Sequence, residues 1–111
     1  MNNEVVITRL SSIGEIEYSF METLAKNRNV ERIIVFGSRA RDDYEEFSDI
    51  DLAIDCPNMT KYDWLKLKEF VTYDLNIFIR ISLVPYHLNP TELKERIITN
   101  GITIYEKGKT Q

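Results

Sequence analysis

Residues 36 to 54 read FGSRARDDYEEFSDIDLAI, and no other stretch restricts the chain as much. The apolar run Val30 to Phe36 ends at Gly37-Ser38, a charged loop follows, and Asp49-Ile50-Asp51 then leads into a second apolar run ending at Asp55. Segments rich in Ile, Val and Phe that stop at glycine or polar clusters are strand signals, which predicts strands over Val30–Phe36 and Ser48–Asp55. Side chains alternate across a strand, so Asp49 and Asp51 are expected on one face and Ile50 and Leu52 on the other. Two rises of ~3.3 Å put the two acids' attachment points about 7 Å apart. Carboxylates held that close repel one another and are costly to bury unpaired. A divalent cation removes the conflict. Mg²⁺ takes one or two protein carboxylates and completes its shell with water and phosphate oxygens.

Gly37-Ser38 supplies a complementary element. Glycine allows the backbone to approach a ligand closely, and exposed N–H groups at a turn or helix start favour phosphate. Ser38 adds a hydroxyl donor, and Arg39 and Arg41 add charge for the same anion. Together the two elements describe a metal–nucleotide or metal–pyrophosphate site. It is not a Walker A loop, because no Gly-Lys-Ser/Thr follows the glycine. Taken residue by residue, the alternative is a solvated charged loop containing Arg39, Arg41, Asp42, Asp43, Glu45 and Glu46. Two acids interrupting one face of a strand favour the metal reading.

The remaining chain supplies elements to pack around this segment. Ser12 to Asn27 is predicted helical, with Ile13, Ile16, Phe20 and Leu24 on one face and Ser12 with Glu15 as a capping box. Thr60 to Tyr73 is a second helix, capped by Thr60 with Asp63 and carrying Trp64, Leu67 and Val71 inward. Ile77 to Val84 is a third strand. A last helix starts at Pro90, with Asn89 as its cap and Leu93, Ile97 and Ile98 facing the core. Asn100-Gly101 ends it, and ITIYE is a final short strand. This order describes a single domain over residues 1–111, of α/β (α+β) class, with helices packed on a small mixed sheet. The connection from Ser38 to Asp49 is the long one without clear structure, and such loops in small domains usually carry function.

Composition narrows the class of partner. A net charge of −4 argues against broad adhesion to nucleic acid or to anionic membranes. No apolar run approaches the ~20 residues of a membrane helix, and MNNEVVITRLSS has no signal-peptide pattern. The cytoplasm is the expected location. Cys56, the single cysteine, follows a strand without CxxC or a cysteine–histidine cluster and reads as a small core residue. His87 has no second histidine at ligand spacing and reads as a turn or capping residue. The six tyrosines lack the basic interleaving of a base-stacking surface and read as core and surface residues.

Gly37-Ser38, ten intervening residues and Asp49-Ile50-Asp51 together resemble the signature of the polymerase-beta-like nucleotidyltransferases. The string FGSRAR…SDIDLAI looks like the minimal nucleotidyltransferases of bacteria and archaea, and ELKERIITNGITIYE is similar to that family's usual ending. The resemblance runs from about Val30 onward and implies the nucleotidyltransferase fold. It also implies that Gly37 and Ser38 contact nucleotide phosphates, with Arg39 and Arg41 as further candidates. Asp49 and Asp51 then hold Mg²⁺ or Mn²⁺ and are the catalytic acids. The implied ligand is ATP or another nucleoside triphosphate. Members described as antitoxins transfer AMP from ATP to a tyrosine of a small helical partner of the HEPN class, and such a partner is implied here.

The resemblance departs at two points. The family's third carboxylate lies on a later strand, where this chain has Ser82 in ISLVPY, with Pro85 where a further Asp is common. Asp74 precedes that strand and is not expected to take the place of Ser82. Asp42 stands where glycine is frequent. Serine is a weak metal ligand and no general base at neutral pH. The sequence is therefore consistent with an active transferase, or with a weakened nucleotide-binding module that acts by complexing its partner.

Overall fold

The apolar run ahead of Gly37 forms the strand from which the rest of the sheet is laid out. In the computed structural model, which describes residues 5–74 and 77–108, strand β1 is Arg32–Phe36 and strand β2 is Ile50–Asp55. They pair antiparallel in a register that sets Phe36 opposite Asp51. Strand β3, Ile81–Pro85, pairs parallel to β2, and β4, Ile102–Glu106, pairs antiparallel to β1. The order β3-β2-β1-β4 makes a four-stranded mixed sheet, as expected, with β3 at one edge.

The two faces of the sheet are covered unequally. Ile33, Val35, Ile50, Leu52, Ile54, Leu83 and Ile104 face the main core, packed by Tyr18, Met21 and Leu24 of helix α1 (Glu15–Ala25). Trp64 and Leu67 of helix α3 (Lys61–Glu69) close the same core, and a π-helical turn over Phe70–Asp74 continues α3. The opposite face carries a much smaller core, Ile34, Ala53 and Ile97, where helix α4 (Thr91–Asn100) lies against the sheet. Asp51 lies two residues from Ala53 along β2, on this thinly covered face. Helix α2 is a single turn, Ser38–Arg41, directly after β1. No described helix is long and apolar enough to cross a membrane.

Several local expectations are corrected. Helix α1 starts after Gly14 with no side-chain cap; Ser12 Oγ instead donates to the Arg39 carbonyl at 2.8 Å, so the predicted capping box with Glu15 does not form. Ile16 is 66% exposed, because the face turned to the sheet carries Tyr18, Met21 and Leu24. Strand β3 begins at Ile81 and not at Ile77; Phe78 is 98% exposed, and residues 75–76 lie outside the described residues. The backbone of Asp74 closes the π turn before β3, and its side chain lies outside the described residues. Asn89 does not cap α4; its Nδ2 donates to the Pro85 carbonyl at 2.9 Å. Of the three apolar residues expected inward on α4, Ile97 alone is buried, since the small core beneath admits one side chain. The cap on α3 forms as expected, with Asp63 N donating to Thr60 Oγ1 at 3.1 Å.

Candidate functional site

The site grows from the turn that ends β1. Gly37 has φ 74° and ψ −156°, a conformation that strains any other residue, and a Cβ built on it would collide with Asp51 Oδ2. Two demands meet at one position. The chain must turn sharply into α2, and it must leave room for the carboxylate opposite. Ser38 begins the helical turn and is half-buried beside it.

Asp51 sits in β2 between Phe36 of β1 and Ser82 of β3 in the ladder. Burial pushes its carboxyl above the usual carboxylate range, and the charge of Asp49 pushes it further; Arg80 and Arg41 oppose both. The two acids are therefore near enough to repel, and two guanidinium groups are near enough to answer them. Asp49, just ahead of the strand, accepts from Arg80 Nη2 at 2.8 Å and from Arg80 Nε at 3.1 Å, both at Oδ2.

The expected roles of the two loop arginines separate. Arg39 is 5% exposed, and its guanidinium donates to the carbonyls of Ser12, Ser48 and Glu46 while stacking on Tyr44, 4.8 Å from the ring centroid. Its donors are engaged by carbonyl oxygens that a burying loop must satisfy. Arg39 thus shapes the loop between α2 and β2. Arg41 is exposed, pairs with Asp43 at 3.4 Å, and reaches Asp51 electrostatically. Asp42 has φ 66°, the one non-glycine residue with positive φ among those described. The frequency of glycine at this point of the family pattern has a direct cause in that backbone.

Ser82 pairs with Asp51 in the parallel register, so a hydroxyl stands next to the half-buried acid. Beside it, along the edge strand, is a cavity of about 320 Å³ lined by Lys68, Val71, Thr72, Arg80, Ile81, Ser82 and Leu83. A larger cavity of about 530 Å³ lies at the other end of the strands, lined by Cys56, Met59, Trp64, His87 and Leu88 among others. It holds none of the acids. His87 lies in a short 3-10 turn, Tyr86–Leu88, with Nδ1 buried and unpaired, and burial raises the Cys56 thiol to about 11.

Could Asp49 and Asp51 hold a divalent cation? The donor set fits one. Two neighbouring carboxylates repel, one is partly desolvated, and the glycine turn packs directly against it. Among the described residues no cluster of three or more His, Cys, Asp or Glu forms. Two protein ligands match an ion that brings phosphate oxygens with it. Arg80 is the residue that sequence reasoning missed. The available signal was a lone charge inside the apolar run IFIRISLV.

With the geometry in place, comparison with known proteins is informative. The sequence profile described as "Polymerase beta, Nucleotidyltransferase" matches residues 19–110. A Methanocaldococcus jannaschii protein that carries the name of a protein adenylyltransferase, MJ1215, is 37% identical over 76 residues, 68% of this chain and 86% of that protein. A toxin–antitoxin crystal structure with AMP-PNP superposes with a TM-score of 0.62 at 22% identity, covering 83% of this chain and 74% of that one. A Sulfolobus solfataricus nucleotidyltransferase structure gives a TM-score of 0.57 at 22% identity, covering 86% and 81%. The solved structures bear on the fold, which agrees with the mixed sheet described above.

Proposed function

The chain belongs to the polymerase beta nucleotidyltransferase family, and on that premise we propose that it binds ATP with Mg²⁺ or Mn²⁺ and transfers AMP to a hydroxyl group on a partner protein. One observation carries the reading: the Gly37 turn is packed against Asp51, with Asp49 close enough to raise that carboxyl. A phosphate-binding turn and a pair of acids are thereby held in one place.

Within this reading Gly37 and Ser38 hold phosphate oxygens, Arg41 adds charge from the same turn, and Asp49 and Asp51 bind the cation. The cation, when bound, polarises the α-phosphate and neutralises the leaving pyrophosphate. The acceptor oxygen forms the new bond to the α-phosphorus, the bond to the bridging oxygen breaks, and pyrophosphate departs. The acceptor's hydroxyl proton passes to solvent water as the new bond forms. A protein acceptor is supported by the adenylyltransferase name of the archaeal relative, and an antitoxin role by the toxin–antitoxin assemblies that share the fold. We place a small helical HEPN-type protein as the partner and the cytoplasm as the compartment.

A second reading rests on the register between Ser82 and Asp51. With a hydroxyl where the family carries an acid, the chain retains a nucleotide clamp and acts by occluding its partner.

The deciding experiment follows label from α-³²P-ATP with Mg²⁺ or Mn²⁺ into co-purified partner or host lysate, with Asp49→Asn/Asp51→Asn alongside. Label with the wild type, reduced at least about 100-fold in the double variant, is the expected result. Intact nucleotide binding without label, restored by Ser82→Asp, selects the occluding module. Absence of both label and nucleotide binding overturns the two readings together.

A further inference from the structure

Asp49 is already engaged. Arg80 Nε and Nη2 both donate to its Oδ2, at 3.1 and 2.8 Å, and the arginine side chain is 78% exposed. Strand β2 carries a second such pair at its far end, where Arg32 Nε meets Asp55 Oδ2 at 2.9 Å, and the contrast is instructive. Those side chains are 28% and 17% exposed, and Arg32 also lies over the Tyr86 ring. That pair is packed in place, whereas the Arg80 pair is held by a long, solvated side chain of the kind that contributes little to stability. Arg80 also acts on Asp51, lines the cavity next to Ser82 and precedes the edge strand β3. One guanidinium thus touches one acid, acts on the other through its charge and lines the adjoining cavity.

A guanidinium on Asp49 Oδ2 stands within a few ångströms of a divalent cation on either oxygen of that carboxylate, and two positive charges so close weaken one another's hold on it. A metal–triphosphate complex brings negative phosphate oxygens along with its cation, and these match a guanidinium's fork of donors. We infer that Arg80 occupies Asp49 in the resting site and moves onto the triphosphate when the metal–nucleotide complex binds. The inference rests on the nucleotide reading above and adds a positioning residue to it. Its consequence is selectivity: the pair resists metal that arrives alone and yields to metal that arrives on a nucleotide. The exposed side chain reorients without disturbing the core.

The test compares wild type, Arg80→Gln and Arg80→Lys in two titrations. Free Mn²⁺ is followed by its electron paramagnetic resonance signal without nucleotide. Calorimetry then follows the Mn²⁺ complex of an ATP analogue with a methylene bridge between the α- and β-phosphorus. Arg80→Gln is expected to bind free Mn²⁺ about 3–5-fold more tightly, the range of a solvated ion pair. The same variant is expected to bind the nucleotide complex about 10–100-fold more weakly, as for a lost charge-assisted hydrogen-bond pair. Arg80→Lys restores the first value and part of the second. Opposite signs cannot come from a merely structural role, which weakens both affinities together. Unchanged affinities, or a parallel loss of both, overturn the assignment of Arg80 while wild-type nucleotide binding leaves the wider reading standing. Failure of the wild type to bind the nucleotide complex overturns that reading, and this assignment with it.

Discussion

The two ends of strand β2 are built from similar residues and behave differently. Each end has an aspartate paired with an arginine: Asp49 with Arg80 where the strand begins, Asp55 with Arg32 where it ends. At the far end the pair is half-buried under Tyr86, and the neighbouring Cys56, Met59 and Trp64 line an apolar cavity. Hydrogen bonding and the charge of Asp55 outweigh burial there, so the Arg32 guanidinium is held more firmly protonated than usual. At the near end the pair is solvated, and a second acid, Asp51, sits half-buried beside it. What separates the two ion pairs in this chain is the packing around them. Residue type does not distinguish them.

Four measurements bear on that comparison, in order of expected effect. At the near end, Gly37→Ala places a Cβ against Asp51 Oδ2 at positive φ, and a loss of about 2–3 kcal/mol in stability is expected with loss of nucleotide binding. Denaturant unfolding and calorimetry read both, and an unaltered variant would remove the glycine turn from the site. At the far end, Arg32→Ala should cost about 1.5–3 kcal/mol, the range for hydrogen bonds to charged groups. Arg80→Ala should cost at most about 1 kcal/mol, as for exposed pairs. Equal losses in urea denaturation would erase the distinction between the two ends.

A smaller effect of opposite sign is expected at Asp51. Its carboxyl is raised in the fold, chiefly by burial, so the protonated form favours folding and ionisation opposes it. That contribution is complete at pH below the unfolded value of an aspartate and disappears as pH rises through the higher folded value. Asp51→Asn should therefore raise the melting temperature of the unliganded protein at pH 7 and lose that advantage below about pH 4. A melting temperature lowered at pH 7 would mean that the acid is stabilising as it stands. Finally, Cys56 should show almost no reaction with a thiol reagent at pH 8 in the folded protein, because its thiol is buried and raised to about 11. Rapid labelling would show that the apolar end opens to solvent.

Much of the architecture was legible because periodicity reports which residues face a core. The β1 and β2 runs, the Thr60 cap and the mixed sheet all follow from patterns within a few residues. The local errors share a cause, since each depended on a neighbour distant in sequence. Ser12 was available to cap α1, but the Arg39 carbonyl takes its hydroxyl. Leu93 and Ile98 have helical core spacing, but the face under α4 accepts Ile97 alone. Residues 77–80 have strand composition, but β3 starts only at Ile81, where pairing to β2 begins.

The site divides along the same line. Sequence by itself determined that a glycine turn ends one strand and that two acids, ten intervening residues later, stand at the start of the next, because short motifs encode backbone turns and side-chain alternation. It also determined the family, through the match over residues 19–110. Only the tertiary structure decided which charges meet. Arg39 and Arg41 are two residues apart, yet one is buried among carbonyls and the other faces solvent near Asp51. Arg80, 31 residues from Asp49, reaches it because β3 lies parallel beside β2. Charge pairing depends on distance in space and on burial, and both are set by the folded sheet.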